Sequence, residues 1–193
     1  MSLRVSFELG DGDLSHFRKI MQEARSAAAS LSQEEILQAA YGLLEAVKEV
    51  EVPDFVSGRL AKIQIMIDMI EDAEWQLPEK ETTRVLNALA YFCEPEDLIP
   101  DHIPGLGFLD DAIMVELVCR ELRHDMDAYV DFCEFRNSES KRRSNVGLVT
   151  DLTTEDWLAT RRKELHSRMR NRRRRERSSR RRRGGGRSPF SLF

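Results

Sequence analysis

Between Asp13 and Phe135 apolar residues recur at steps of three and four, interrupted where prolines stand. That period decides the class of fold, because such steps return to one face of a helix of 3.6 residues per turn. Leu14, Phe17, Met21, Ala24 and Ala28 form a first face. Ile36, Ala40, Leu43, Val47 and Val50 form a second, behind Ser32 and Glu35 at the S-x-x-E spacing of a capping box. Pro53 stops that run. A third helix, Asp54 to Trp75, carries Val56, Leu60, Ile63, Ile67 and Ile70, with Ile65, Met66 and Met69 on its flanks, and reads as the most buried. After Pro78 a fourth, Glu79 to Cys93, offers Val85, Leu86, Leu89, Ala90 and Phe92. A fifth, Asp111 to Phe135, shows Val115, Val118, Leu122, Met126, Tyr129 and Cys133 on one face and Glu116, Arg120, Arg123, Asp127 and Asp131 on the other. The expected fold is all-α, an irregular bundle of about five helices.

One segment departs from the helical period. Leu3, Val5, Phe7 and Leu9 alternate with polar residues, the pattern of a half-buried strand, before Gly10–Asp13 breaks it. A short N-terminal strand needs a partner, either near Asn145–Leu152 or in a second copy of the chain.

Charge divides the chain. Residues 1–157 hold 32 Asp and Glu against 15 Lys and Arg, a net of −17; residues 158–193 hold 2 against 15, a net of +13. Composition therefore predicts three parts: an acidic helical domain over 1–140, a polar, Ser-rich linker over 141–157 and a basic tail over 158–193. At the end of the linker Thr153 and Asp156 make a cap, and Trp157, Leu158, Leu165 and Met169 start an amphipathic helix that leads into the tail. The remainder, RRRRERSSRRRRGGGR, is expected to be largely disordered: like charges repel, and nothing apolar is available to bury.

Several function classes drop out. Cys93, Cys119 and Cys133 are odd in number and lack CxxC spacing, which argues against a disulfide framework and for the cytoplasm. No signal peptide and no membrane-spanning run is visible, leaving peripheral membrane attachment open. G-x-S-x-G, H-E-x-x-H, P-loop and G-x-G-x-x-G motifs are missing, so the reading leans away from an enzyme. His16, His124 and His166 are isolated and read as surface residues; the cysteines read as packing groups.

Between the fourth and fifth helices lies Glu94–Asp111, EPEDLIPDHIPGLGFLDD, with three prolines, two glycines, six carboxylates and one histidine. Its apolar residues, from Leu98 to Leu109, call for partial burial, with backbone groups satisfied inside the protein. Pro95, Asp97, Leu98, Ile99, Pro100, Asp101, Ile103, Pro104, Gly107, Asp110 and Asp111 resemble the signature of the YkvA-like family, domain of unknown function 1232, over about residues 85–120. The resemblance implies two apolar helices flanking the segment and carries no settled activity. Glu94 stands where the family often has serine, and Glu116, Arg120, Glu121 and Arg123 make the second helix more polar than in membrane-associated relatives.

Two readings of the aspartates stand. If the segment folds back on itself, Asp97, Asp101, Asp110 and Asp111 surround a divalent cation such as Mg²⁺, Mn²⁺ or Ca²⁺, with His102 as a further ligand or a base, and the chain is a divalent-metal-binding protein or a hydrolase. No other cofactor is expected. In the architectural reading Asp97 and Asp101 accept backbone N–H groups in turns, Asp110 caps the next helix and Asp111 sits in its first turn.

The arginines point to phosphate, which the planar guanidinium fork can hold through two oxygens. Arg161, Arg162, Arg168, Arg170, Arg172, Arg173, Arg174, Arg175, Arg177, Arg180, Arg181, Arg182 and Arg183 are the candidate polyanion-binding residues. The ligand is RNA, DNA or an anionic membrane surface, contacted through its phosphates without sequence preference, since no aromatic residue interleaves the run. Competing readings are a tail folded back on the acidic body and a solubilising extension. The chain as a whole reads as a non-enzymatic adaptor whose helical body binds a protein or its own copy.

Overall fold

The computed structural model describes residues 8–93, 108–146 and 154–182. Six α-helices and two short 3-10 turns make up the described chain: α1 (Asp11–Ala27), α2 (Gln33–Lys48), α3 (Asp54–Glu71), α4 (Glu79–Leu89), α5 (Leu109–Val146) and α6 (Thr154–Arg182), with single turns at Ala28–Ser30 and Ala90–Cys93. The all-α expectation holds. Among the described residues there is no strand; the predicted one falls almost wholly in residues 1–7, outside them.

The helix starts follow local chemistry. Ser32 accepts the Glu35 N–H at 3.2 Å, and the Glu35 carboxylate accepts the Ser32 N–H at 2.7 Å, which pulls that carboxyl below its usual range. Ser32→Ala should cost about 1 kcal/mol, the usual value of an N-cap, read as a lower urea midpoint at unchanged slope. Pro53 and Pro78 stand immediately before α3 and α4, where a missing N–H costs nothing.

Helix α3 ends in a turn organised by Asp72. One carboxylate oxygen accepts the N–H groups of Glu74 and Trp75; the other accepts the Tyr129 hydroxyl at 3.1 Å and Arg136 Nη1 at 2.8 Å. Gln76 follows with φ 47°, the left-handed conformation that turns the chain into α4. The turn drops Trp75, fully buried, against Tyr129, Phe132 and His166, whose ring centroids lie 5.7, 5.1 and 4.3 Å away.

Helix α5 is the central element. α3 runs parallel to it, with Lys62 against Glu116 and Asp72 against Tyr129 and Arg136. α6 runs antiparallel, with Trp157 against Phe135 and Arg173 against Asp125. Because both sides are covered, α5 buries Met114, Leu117, Ala128 and Phe132 in addition to the stripe from Val115 to Tyr129. α3, expected to be the most buried helix, buries Val56, Leu60, Ile63, Met66, Ile67 and Met69 and packs against α2, α4 and α5.

Parts of the expected linker and tail lie in helices. α5 continues to Val146, 38 residues in all, so 141–146 belong to a helix. α6 spans 29 residues, and Leu158, Leu165 and Met169 are buried in the common core. Two sets of contacts hold α6 against the body. Its apolar start docks on α5, and Arg173 further along finds one carboxylate on α4 and one on α5. Residues 183–193, with Arg183, lie outside the described residues.

Candidate functional site

The basic helix α6 is built on Trp157, Leu158, Leu165 and Met169, which fix it to α5. Arginine is a good helix former, and its self-repulsion is relieved locally: Glu164 receives Arg161 at 2.8 Å and Arg168 at 3.8 Å. Glu176 turns to α5 instead, meeting His124 Nε2 at 2.8 Å and Arg123 at 3.0 Å.

The structure sorts the predicted arginines into two groups. In the first, Arg161 lies over the Phe135 ring, Arg162 donates to the Glu74 carbonyl at 2.7 Å, and Arg173 turns inward. Arg173 Nη1 reaches Asp125 at 2.9 Å and its Nη2 reaches Glu81 at 2.8 Å. Arg84 Nη1 meets the same Asp125 at 3.1 and 3.2 Å. Among the described residues, two guanidiniums and two carboxylates thus meet and join α4, α5 and α6. Asp125 is completely buried; burial pushes its carboxyl up to about 6, with the Arg84 guanidinium pulling the other way. In the second group Arg170, Arg172, Arg174, Arg175 and Arg177 are exposed and have no acidic partner among the described residues. Arg180, Arg181 and Arg182 continue the helix.

The aspartate candidates divide differently. Asp97, Asp101 and His102 lie outside the described residues. Asp110 and Asp111 are buried at the start of α5. That helix begins at Leu109, one residue before the predicted cap, so both aspartates occupy its first turn, where the helix dipole favours carboxylates. Phe108, buried with φ 61°, precedes them and accepts the Ala112 N–H at 3.0 Å. Among the described residues no group of three or more His, Cys, Asp or Glu side chains is placed to hold a metal.

Residues 83–117 match the model of the family "Protein of unknown function (DUF1232)". The match spans 35 of the 193 residues. It runs from the middle of α4 through the Pro/Gly stretch into α5, and it includes Arg84, Asp110 and Asp111. No curated protein and no solved structure matches the chain. The DUF1232 match thus includes the part of α4 that presents Arg84 and the start of α5, while Asp125 and the arginine helix lie outside it.

Sequence reasoning missed Glu81, Arg84 and Asp125 and misplaced two histidines. His166 is buried, with a Nε2 that has no partner among the described residues, and burial beside Arg170 and Arg162 lowers its pKa to about 4. His124 is mostly covered by its contact with Glu176. A signal for Asp125 existed: it stands three residues after Leu122 and four before Tyr129, on the apolar stripe. Arg173, four residues after Met169, continues the buried face of α6 in the same way. Cys119 is buried and its thiol is pushed up to about 11 by desolvation, which fits a packing group. No described helix is long and apolar enough to cross a membrane.

Proposed function

We propose that the protein is a non-enzymatic helical adaptor whose last helix binds a polyanion through phosphate contacts, without reading sequence. One observation carries the reading: Arg170, Arg172, Arg174, Arg175 and Arg177 stand exposed on a rigid helix with no carboxylate opposite them among the described residues. Arginines elsewhere on α6 are engaged by the body, so the helix is held by one subset and offers another to solvent. A docked helix presents its guanidiniums at a fixed pitch of about 1.5 Å per residue, which lowers the ordering cost of binding compared with a loose tail.

Engagement of five phosphates would give log K against log salt a slope near −4.5 for duplex DNA, at about 0.9 per contact. Replacing the five arginines by glutamine should bring that slope towards zero while the far-ultraviolet circular dichroism stays that of the native chain. Substitution is the appropriate probe, because truncation before α6 would uncover the surface that Leu158, Leu165 and Met169 cover. Duplex DNA, single-stranded RNA and anionic vesicles form three arms that identify the class of polyanion. Equal affinity of the native and five-glutamine proteins for every arm would overturn the reading.

A further inference from the structure

We infer that Lys80 of α4 and Arg170, Arg174 and Arg177 of α6 form a concave site for a compact polyphosphate group, two or three linked phosphates, distinct in shape from the convex arginine face. The inference rests on the polyanion reading of α6 and sharpens it to one ligand class at one place. A cleft of about 470 Å³ opens between the first turn of α4 and the second half of α6, within the usual range of small-ligand sites. Lys80, Glu81, Arg170, Arg173, Arg174 and Arg177 line it, with Ser178. Its floor is charge-balanced, because Arg173 is held by Glu81 and Asp125. Its walls are not: Lys80, Arg170, Arg174 and Arg177 are exposed cations with no acidic partner among the described residues. Glu176, the carboxylate nearest to them along α6, is occupied by His124 and Arg123.

Helix geometry separates these arginines from the others. At 100° per residue, Arg170, Arg174 and Arg177 fall within about 60° of one another, and Arg172 and Arg175 lie on the far side. The first three span about 10 Å along the axis, and α4 brings Lys80 to face them. Four positive charges lining one open cleft match a group that concentrates its negative charge, as linked phosphates do. A phosphodiester backbone spreads one charge per nucleotide and suits the convex face better.

Calorimetric titration of the full chain with sodium tripolyphosphate tests the site. One-to-one saturable binding is expected, tighter than for orthophosphate. Lys80→Gln with Arg174→Gln should weaken it by about tenfold or more, while Arg172→Gln with Arg175→Gln leaves it nearly unchanged. Lys80→Arg, which keeps the charge, should bind as the native protein does. ATP and inorganic tripolyphosphate as separate arms distinguish a nucleotide from a bare polyphosphate: equal affinities show that only phosphates are read, tighter ATP shows an added base contact, and both support the cleft. Absence of saturable binding, or equal weakening by the two double variants, overturns it. Single-stranded RNA run in parallel keeps the two claims apart. RNA binding without tripolyphosphate binding sinks the cleft alone; tripolyphosphate binding without RNA, DNA or vesicle binding sinks the adaptor reading alone.

Discussion

Asp125→Ala should lower the free energy of unfolding by about 3–5 kcal/mol, the usual result of removing one member of a buried ion pair. Asp125 is fully buried, and it stands between Arg84, whose side chain is 9% exposed, and Arg173. Without it Arg84 loses the carboxylate it faces at 3.1 and 3.2 Å, and Arg173 keeps only Glu81. The energy of the cluster is not a simple gain, because each ion was taken out of water to form it. A second variant separates these effects. Glu81→Leu, Arg84→Met, Asp125→Leu and Arg173→Met together remove every charge of the cluster and should recover most of the lost stability. Urea unfolding at neutral pH reads both, as a shift of midpoint at constant slope. A loss under about 1 kcal/mol for Asp125→Ala would mean that water reaches the cluster, and that it does not hold α6 in place.

The same cluster explains what could and could not be read from the sequence. Helices α1 to α5 were legible because Met21, Ile36, Leu60, Val85 and Leu122 repeat at the helical period and are buried. Helix α6 was legible only as far as Met169. Beyond that residue nothing apolar remains in the helix, and rules of composition judge a segment by what it can bury alone. Arg173 is ordered by Glu81 and Asp125, which lie 92 and 48 residues away. Such a pairing leaves no periodic trace; its one local mark is a charged residue standing on an apolar stripe. The covered second side of α5 was hidden for a related reason. Ala128 and Phe132 lie beside Asp127 and Asp131, so that surface looks mixed until α6 is placed on it. The Pro/Gly segment was legible as a DUF1232 signature, because proline and glycine positions are set by backbone geometry, which sequence records directly. How its aspartates act depends on how that backbone folds back, and Asp97, Asp101 and His102 lie outside the described residues. The arginines illustrate the remaining limit: composition counts them alike, yet Arg173 is a structural ion and Arg174, its neighbour, faces a cleft.

Acid should weaken the native protein through His166, and His166→Phe should remove that weakness. Burial, with Arg170 and Arg162 nearby, lowers the imidazole from its ordinary 6.5 to about 4. A depressed folded value means that the unfolded chain binds the proton more readily between those limits. The stability held by neutral His166 is therefore complete above pH 6.5 and is lost as the pH falls towards 4, by up to about 3 kcal/mol at 1.36 kcal/mol per unit. Asp125 works in the opposite sense over an overlapping window. Its carboxyl is raised from 3.8 to about 6, so its share is largest below 3.8 and declines as the pH rises through 6. The two groups therefore offset each other in part across that range, and the difference between native and variant is the informative quantity. Phenylalanine keeps a ring against Trp75, where the imidazole now sits at 4.3 Å, and adds no polar atom that needs a partner. The two proteins should be equally stable near pH 7.5, or the variant slightly more so, and should diverge in favour of the variant as acid is added. Urea midpoints measured from pH 7.5 down to 4 decide the matter. Parallel curves would show that His166 is solvated in the native state, and that the contact between Trp75 and α6 is looser than a 4.3 Å ring packing implies.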